Sequence, residues 1–304
     1  MSLTSDFEQP AAKGILAALS AFLIWGFLPL YWKSLESISS LEILCHRMVW
    51  SFVVLTPVLL LGGRLGGMCM LPRTAKTLFG LFCSSALLGF NWFLFIWAVN
   101  SGMVLETSLG YYINPLINIL LGVLVFRERL STLTGLAIVL AALGVLYQVI
   151  AIGHVPWVSL GLGCSFAAYG LLRKVLLVEA LPGLFTETLI FLPFALGWLL
   201  WQGWHGNSFV FRGDFTLDLL VMASGILTSM PLFLFAFGVR RIPMTTLGVL
   251  QYVSPSITFL LGVFVFHEPF SMNRLITFLC IWAGLAVYTW DSMRQRRLAR
   301  ESLR

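Results

Sequence analysis

The chain has 304 residues, of which 59% are hydrophobic and only 11% charged, with a formal net charge of +6. A soluble domain carries about 25% charged residues, and a chain this poor in polar material cannot cover itself with a water-facing skin. That excludes a soluble enzyme, a nucleic-acid-binding module and a disordered scaffold, and points to a polytopic membrane protein whose basic residues meet anionic lipid headgroups rather than nucleic acid.

Taken in chain order, the polar segment 1–12 and Lys13 precede an uncharged run from Gly14 to Trp32. The run is long and no A-x-A cleavage pattern follows it, so it reads as a retained first span, not a signal peptide. The second span runs from near Ser40 to Gly62 and carries Glu42, His46 and Arg47. From Thr77 to Phe126 the one charge is Glu106, and the turn Asn100-Ser101-Gly102 divides this stretch into span three, 77–99, and span four, 104–126. Gly153-His154-Val155-Pro156 divides the next uncharged stretch into span five, 132–151, and span six, 155–176. Spans seven to ten are predicted at about 184–203, 217–239, 243–266 and 271–290, the seventh interrupted by Glu187. The tail 291–304 is basic, helical at first and then loose. Barrel strands would alternate apolar and polar residues. These runs are apolar all round, so the expected fold is an all-α polytopic membrane protein of ten transmembrane helices.

Ten spans put both termini on one side. That side holds Lys13, Arg64, Arg73, Lys76, Arg127, Arg129, Arg173, Lys174, Arg240, Arg241 and the arginines of the tail, against Lys33, Arg212 and Arg274 opposite. The excess of Lys and Arg makes both termini cytoplasmic.

The chain also repeats itself. Tyr112–Ser131 aligns without a gap on Tyr252–Ser271 at an offset of 140, sharing Tyr112, Pro115, Gly122 and Glu128 in register with Tyr252, Pro255, Gly262 and Glu268. Apolar composition alone does not align Tyr, Pro, Gly and Glu. The echo extends weakly upstream, and at an offset of 144 Trp25-Gly26 corresponds to Tyr169-Gly170. Two five-helix repeats follow, 13–151 and 153–290. Five is odd, so the repeats must cross the membrane in opposite senses. The basic residues agree: Arg127 and Arg129 face His267 and Pro269 in the equivalent loop, while the loop equivalent to Arg240-Arg241 has no Lys or Arg. Inverted repeats are characteristic of secondary transporters, with the solute site near mid-membrane where the repeats meet.

Trp25-Gly26, the two Pro-containing spans four and nine, and their Gly…Phe-x-Glu endings resemble the EamA family of the drug/metabolite transporter superfamily. Leu28-Pro29-Leu30-Tyr31-Trp32-Lys33, Glu42 through Arg47, Asn91-Trp92 through Asn100, Ser108 through Pro115, and Thr246 through Tyr252 are most similar to its RarD branch. The resemblance covers roughly 13–290. It implies ten helices in two inverted five-helix repeats and a bacterial inner-membrane permease, without defining a substrate.

Polar groups inside the spans are the candidate site residues. An arginine at a span centre costs about 2.5–3.5 kcal/mol on insertion scales. Two readings of Arg47 stand: it reaches outer headgroups or pairs with Glu42 or Glu106, or, with His46, it lines the outer half of a cavity and attracts an anionic group. Tyr111, Asn114 and Asn118 share a helical face. Gln251, Ser254 and Thr258 are their counterparts at an offset of 140, so two polar stripes are expected to face each other as a cavity or as interhelical hydrogen bonds. Tyr112, Tyr252, Asn91, Trp92, Trp25 and Tyr169 are further cavity or packing candidates. Pro115, Pro255 and Pro231 are candidate hinges or fixed bends. Glu128 and Glu268 are expected to tie a loop or a helix end.

No carboxylate is expected at mid-depth of a central span, so proton coupling of the carboxylate kind is not evident. No GxxxxGK[ST] loop is present, the five cysteines form no CxxC pair, and His46, His154, His205 and His267 are scattered. No cofactor or metal is expected. The expected function is a secondary, non-ATP transporter of a small organic metabolite or drug, an exporter working by alternating access. A membrane-embedded lipid-modifying enzyme and a non-transporting bundle are the rivals. The partners expected are a small-molecule substrate and membrane lipids.

Overall fold

The computed structural model describes residues 3–61, 74–101, 103–153, 155–176, 178–206, 208, 210, 213–266 and 272–301. Among them there is no strand. The helices are α1 (Leu3–Lys33), α2 (Ser40–Leu61), α3 (Ala75–Asn100), α4 (Val104–Leu124), α5 (Thr132–Ile152), α6 (Trp157–Val175), α7 (Ala180–Trp204), α8 (Phe215–Val239), α9 (Met244–Gln251), α10 (Val253–Phe264) and α11 (Met272–Glu301). Among the described residues eight stretches are long and apolar enough to cross a membrane, and one of them, Met244–Phe264, joins α9 and α10. A shorter apolar stretch, Leu109–Leu124, lies in α4. The chain is a multi-pass membrane protein. α6 forms where a span was expected but is not among the eight; its last turn carries Arg173 and Lys174.

Several boundaries are set by local chemistry. Ser131 N-caps α5 by accepting from the Thr134 amide at 3.0 Å, and Gly153 ends it with φ +80°. Asp214 caps α8 through the Leu217 amide at 3.0 Å. Span nine is not continuous. Pro255 lacks the N–H that would bond the Gln251 carbonyl, and the helix breaks at Tyr252. The tail is helical from Asp291 to Glu301, as expected of its first part. Asp291 accepts from the Ser131 hydroxyl, from Thr134 Oγ1 at 2.9 Å and from Gln295 Nε2 at 2.8 Å, which anchors this turn.

The chain forms two compact units. The first comprises residues 1–97 and 168–242, and the second 98–167 and 243–304, so each draws on both 140-residue segments. In the first unit α8 lies against α1 and α2, and α7 lies against α2 and α8. Gly225 of α8 permits a close approach to α2, because a Cβ there would collide with the Trp50 backbone. In the second unit α11 runs along α5 and α9 crosses α4. Glu128 fixes that crossing as expected of it: its carboxylate accepts from the amides of Met244 at 2.7 Å and Thr245 at 2.9 Å, at the positive end of α9. Glu268, His154 and His267 lie outside the described residues, as do the side chains of Asn100 and Glu106.

Candidate solute cavity

In the first unit four helices leave a cavity between them. α2 supplies Met48 and Ser51, and α3 supplies Leu88 and Trp92. α7 supplies Leu184, Glu187, Thr188 and Phe191, and α8 supplies Thr228, Ser229 and Leu232. The volume is about 20 Å³, room for about one water molecule.

Arg47 adjoins two of the wall residues, Thr228 and Trp92. Its Nε donates to Thr228 Oγ1 at 2.9 Å, and its guanidinium lies 4.7 Å from the Trp32 ring centre and 5.3 Å from that of Trp92. Two aromatic faces on one guanidinium compensate part of its desolvation. His46, on the same helix, is buried. Neither it nor Asn91, which is half-buried, lines the cavity.

The wall residue Glu187 belongs to a buried polar cluster. Glu187 is 1% exposed. Its Oε1 accepts from Ser84 Oγ at 2.6 Å, and its Oε2 accepts from Tyr169 Oη at 3.2 Å. Arg173 Nη1 lies 3.6 Å from Oε1, with the Arg173 side chain fully buried. Arg173 Nη2 donates to the Ala180 carbonyl at 3.0 Å. Gly183 makes room for this arginine, since a Cβ there would overlap the guanidinium. Tyr169 stacks on Phe235, with ring centres 6.1 Å apart and planes 14° apart, and Trp25 packs on the same Phe235 at 5.7 Å.

Glu187, expected as an interruption of span seven, is buried within this cluster. α7 begins at Ala180, not near 184, so Glu187 lies two turns inside it. Arg173, counted among the basic residues of the cytoplasmic side, has its side chain buried in the fold. A local signal existed in Tyr169 and Arg173, and in Gly183 and Glu187, each pair four residues apart. Nothing in the sequence linked either pair to Ser84.

In the second unit the matched stripes meet at one point. Asn118 Nδ2 donates to Gln251 Oε1 at 2.6 Å and to Asn114 Oδ1 at 3.0 Å, while Asn114 Nδ2 donates to the Gly163 carbonyl at 3.2 Å. All three side chains are buried. Gly248 sits against Pro115, whose carbonyl would be 2.5 Å from an added Cβ. Tyr111 is 53% exposed, Thr258 is exposed and Ser254 is half-buried. The break at Tyr252 explains why: α10 touches α4 only sparsely, so the stripes do not continue past the crossing. Tyr112 and Tyr252 belong to an apolar core with Phe278, and Tyr252 Oη donates to the Tyr112 carbonyl at 3.3 Å. Pro115, Pro255 and Pro231 are all buried.

Comparison with known proteins agrees with a transport assembly. The model of the EamA-like transporter family matches residues 12–150 and again 155–290. An uncharacterised transporter of Vibrio cholerae is 43% identical over 302 residues, covering 99% of this chain and all of its own length. Protein RarD of Escherichia coli is 40% identical, covering 94% of this chain and 96% of itself. The chloramphenicol-sensitive protein RarD of Pseudomonas aeruginosa is 33% identical, covering 94% and 97%. A solved crystal structure superposes with a TM-score of 0.69 over 92% of this chain and 98% of its own at 19% identity, which speaks to the fold alone. With a family model matched over most of its length and relatives above 40% identity across nearly the whole of it, the chain belongs to the EamA-like transporter family.

Proposed function

We propose that the protein is a secondary transporter of a small organic metabolite or drug, exporting it by alternating access through the cavity walled by α2, α3, α7 and α8. The observation that carries this reading is the provenance of those walls: two come from the first 140-residue segment and two from the second. Such a wall is what ten spans arranged as two inverted repeats, 13–151 and 153–290, would produce. The two separate family matches support that division. The charge asymmetry supports cytoplasmic termini in a bacterial inner membrane.

Drug-sized ligands occupy about 300–1,000 Å³. A cavity of about 20 Å³ therefore belongs to a closed conformation, and the helices must part to admit solute. Arg47 is the recognition group for an anionic moiety, because its planar guanidinium suits carboxylate or phosphate. Asn114, Asn118 and Gln251 hold the α4–α9 crossing, while Pro231 and Pro255 supply the bends about which helices rock.

The test is counterflow in proteoliposomes preloaded with each member of a metabolite and drug panel. Uptake of at least one labelled solute, driven by its own unlabelled pool, is expected, and its loss in Arg47→Gln ties it to the cavity. Absence of counterflow across the panel, with folded protein in the vesicles, overturns the reading.

A further inference from the structure

We propose that Glu187 is a proton-binding site, and that protonation there opens the cavity by leaving Arg173 without its compensating charge; this deepens the transport reading and rests on it.

The geometry carries the argument. Glu187 lines the cavity, so its carboxylate is within reach of any water admitted there. It is also part of the wall that must move. Its oxygens are held from two other helices, by Ser84 on α3 and Tyr169 on α6, so α3, α6 and α7 are tied through one carboxylate. Arg173 is fully buried 3.6 Å away, and its Nε and Nη1 have no hydrogen-bond partner among the described residues. A buried guanidinium left without a nearby carboxylate is strongly destabilising. The closed arrangement is thus stable only while Glu187 is ionised.

Among the described residues, the other helices that line the cavity with Glu187 bring no titratable side chain to it. α2 faces it across the cavity with Met48 and Ser51, and α8 with Thr228, Ser229 and Leu232. Arg47 is bonded to Thr228, and Lys174 is engaged by the carbonyls of Val239 and Ile242 at the end of α8. Arg173 and Tyr169 are the ionisable groups that face the carboxyl, and Arg240 at the end of α8, which donates to the Val178 carbonyl at 2.7 Å, adds a second positive charge near Arg173 that Glu187 helps to offset. The step itself is simple. One proton from water adds to the carboxylate, the neutral acid releases Arg173, and the helices part. Loss of the proton on re-closure returns it to water, so one proton is bound and released per cycle.

The test needs no solute. In a full-length variant lacking the five native cysteines, Ser229→Cys places a thiol in the cavity wall, where Ser229 Oγ is buried without a hydrogen-bond partner. Its labelling by N-ethylmaleimide in liposomes is followed across pH, each rate divided by that of the same thiol in denatured protein at that pH. The corrected rate is expected to rise as pH falls, on the order of tenfold, as a closed population gives way to an open one. In Glu187→Gln it should be fast and flat, and in Glu187→Asp the pH step should persist. A flat profile in the parent, or the parent's profile retained in Glu187→Gln, overturns the proposal. Should Glu187→Gln not fold, Ser84→Ala removes one bond to the carboxylate, and an unmoved midpoint overturns the proposal equally. A flat profile alongside solute counterflow defeats this proposal alone; a pH-gated cavity without counterflow defeats the transport reading.

Discussion

Asn118 and Gln251 share a 2.6 Å hydrogen bond, side chain to side chain, across 133 residues of chain. The bond is buried, and it joins α4 to the last residue of α9, where Pro255 breaks the ninth span. It makes these residues part of the packing of the second unit.

A double-mutant cycle of Asn118→Ala and Gln251→Ala should therefore show a coupling energy of about 0.6–1.7 kcal/mol, the range for membrane interhelical bonds. Thermal unfolding in detergent measures it. Solute counterflow should fall less than in Arg47→Gln. A coupling of zero with complete loss of counterflow would assign the pair to solute binding instead.

Glu128→Ala removes both backbone bonds that cap α9. The expected loss is about 0.5–2 kcal/mol, as for other N-caps, seen as a lower Tm. Glu128→Gln keeps an acceptor and should lose less. Hydrogen exchange should localise the change to the amides of Met244 and Thr245.

Gly183→Ala drives a methyl into the Arg173 guanidinium. Overpacking of this kind costs about 1–3 kcal/mol. Gly197→Ala on the same helix has nothing within 4 Å of the new Cβ and should be neutral or gain up to ~1 kcal/mol from helix propensity. Equal behaviour of the two variants in thermal unfolding would contradict the packing described at Gly183.

Arg47→Lys keeps the charge but loses the planar stack on Trp32 and Trp92. For a solute that shows counterflow, the apparent affinity should weaken by about tenfold, the effect of roughly 1.4 kcal/mol, within the range for a partly desolvated cation–π contact. Arg47→Gln should abolish transport while leaving size-exclusion behaviour unchanged. Wild-type kinetics in Arg47→Lys would show that charge alone matters.

Much of this molecule was legible in the amino-acid order. Helix ends at Ser131, Gly153 and Asp214 are written in single residues whose side chains or backbone freedom terminate a helix locally. Arg47 stood out because an ionised group in an apolar run is costly wherever the helix is packed. The echo at 140 residues placed Asn118 and Gln251 on equivalent helices, and the structure brings them into contact. Tyr111 and Thr258 were grouped with them by helical periodicity, which is blind to where a partner helix bends away.

The sequence by itself determined that the chain lies in a membrane and is helical, because those properties follow from composition and periodicity; its place among transporters came from the internal echo and the resemblance to a known family. Only the tertiary structure decided which polar residues share a cavity. Ser84, Tyr169, Arg173 and Glu187 converge from three helices, and Gly183 matters only because a guanidinium passes beside it. A buried ion pair depends on distances across helices, and such distances have no period in the chain. That is why Glu187 read as an interruption in an apolar run, and why in the folded protein it forms part of the cavity wall.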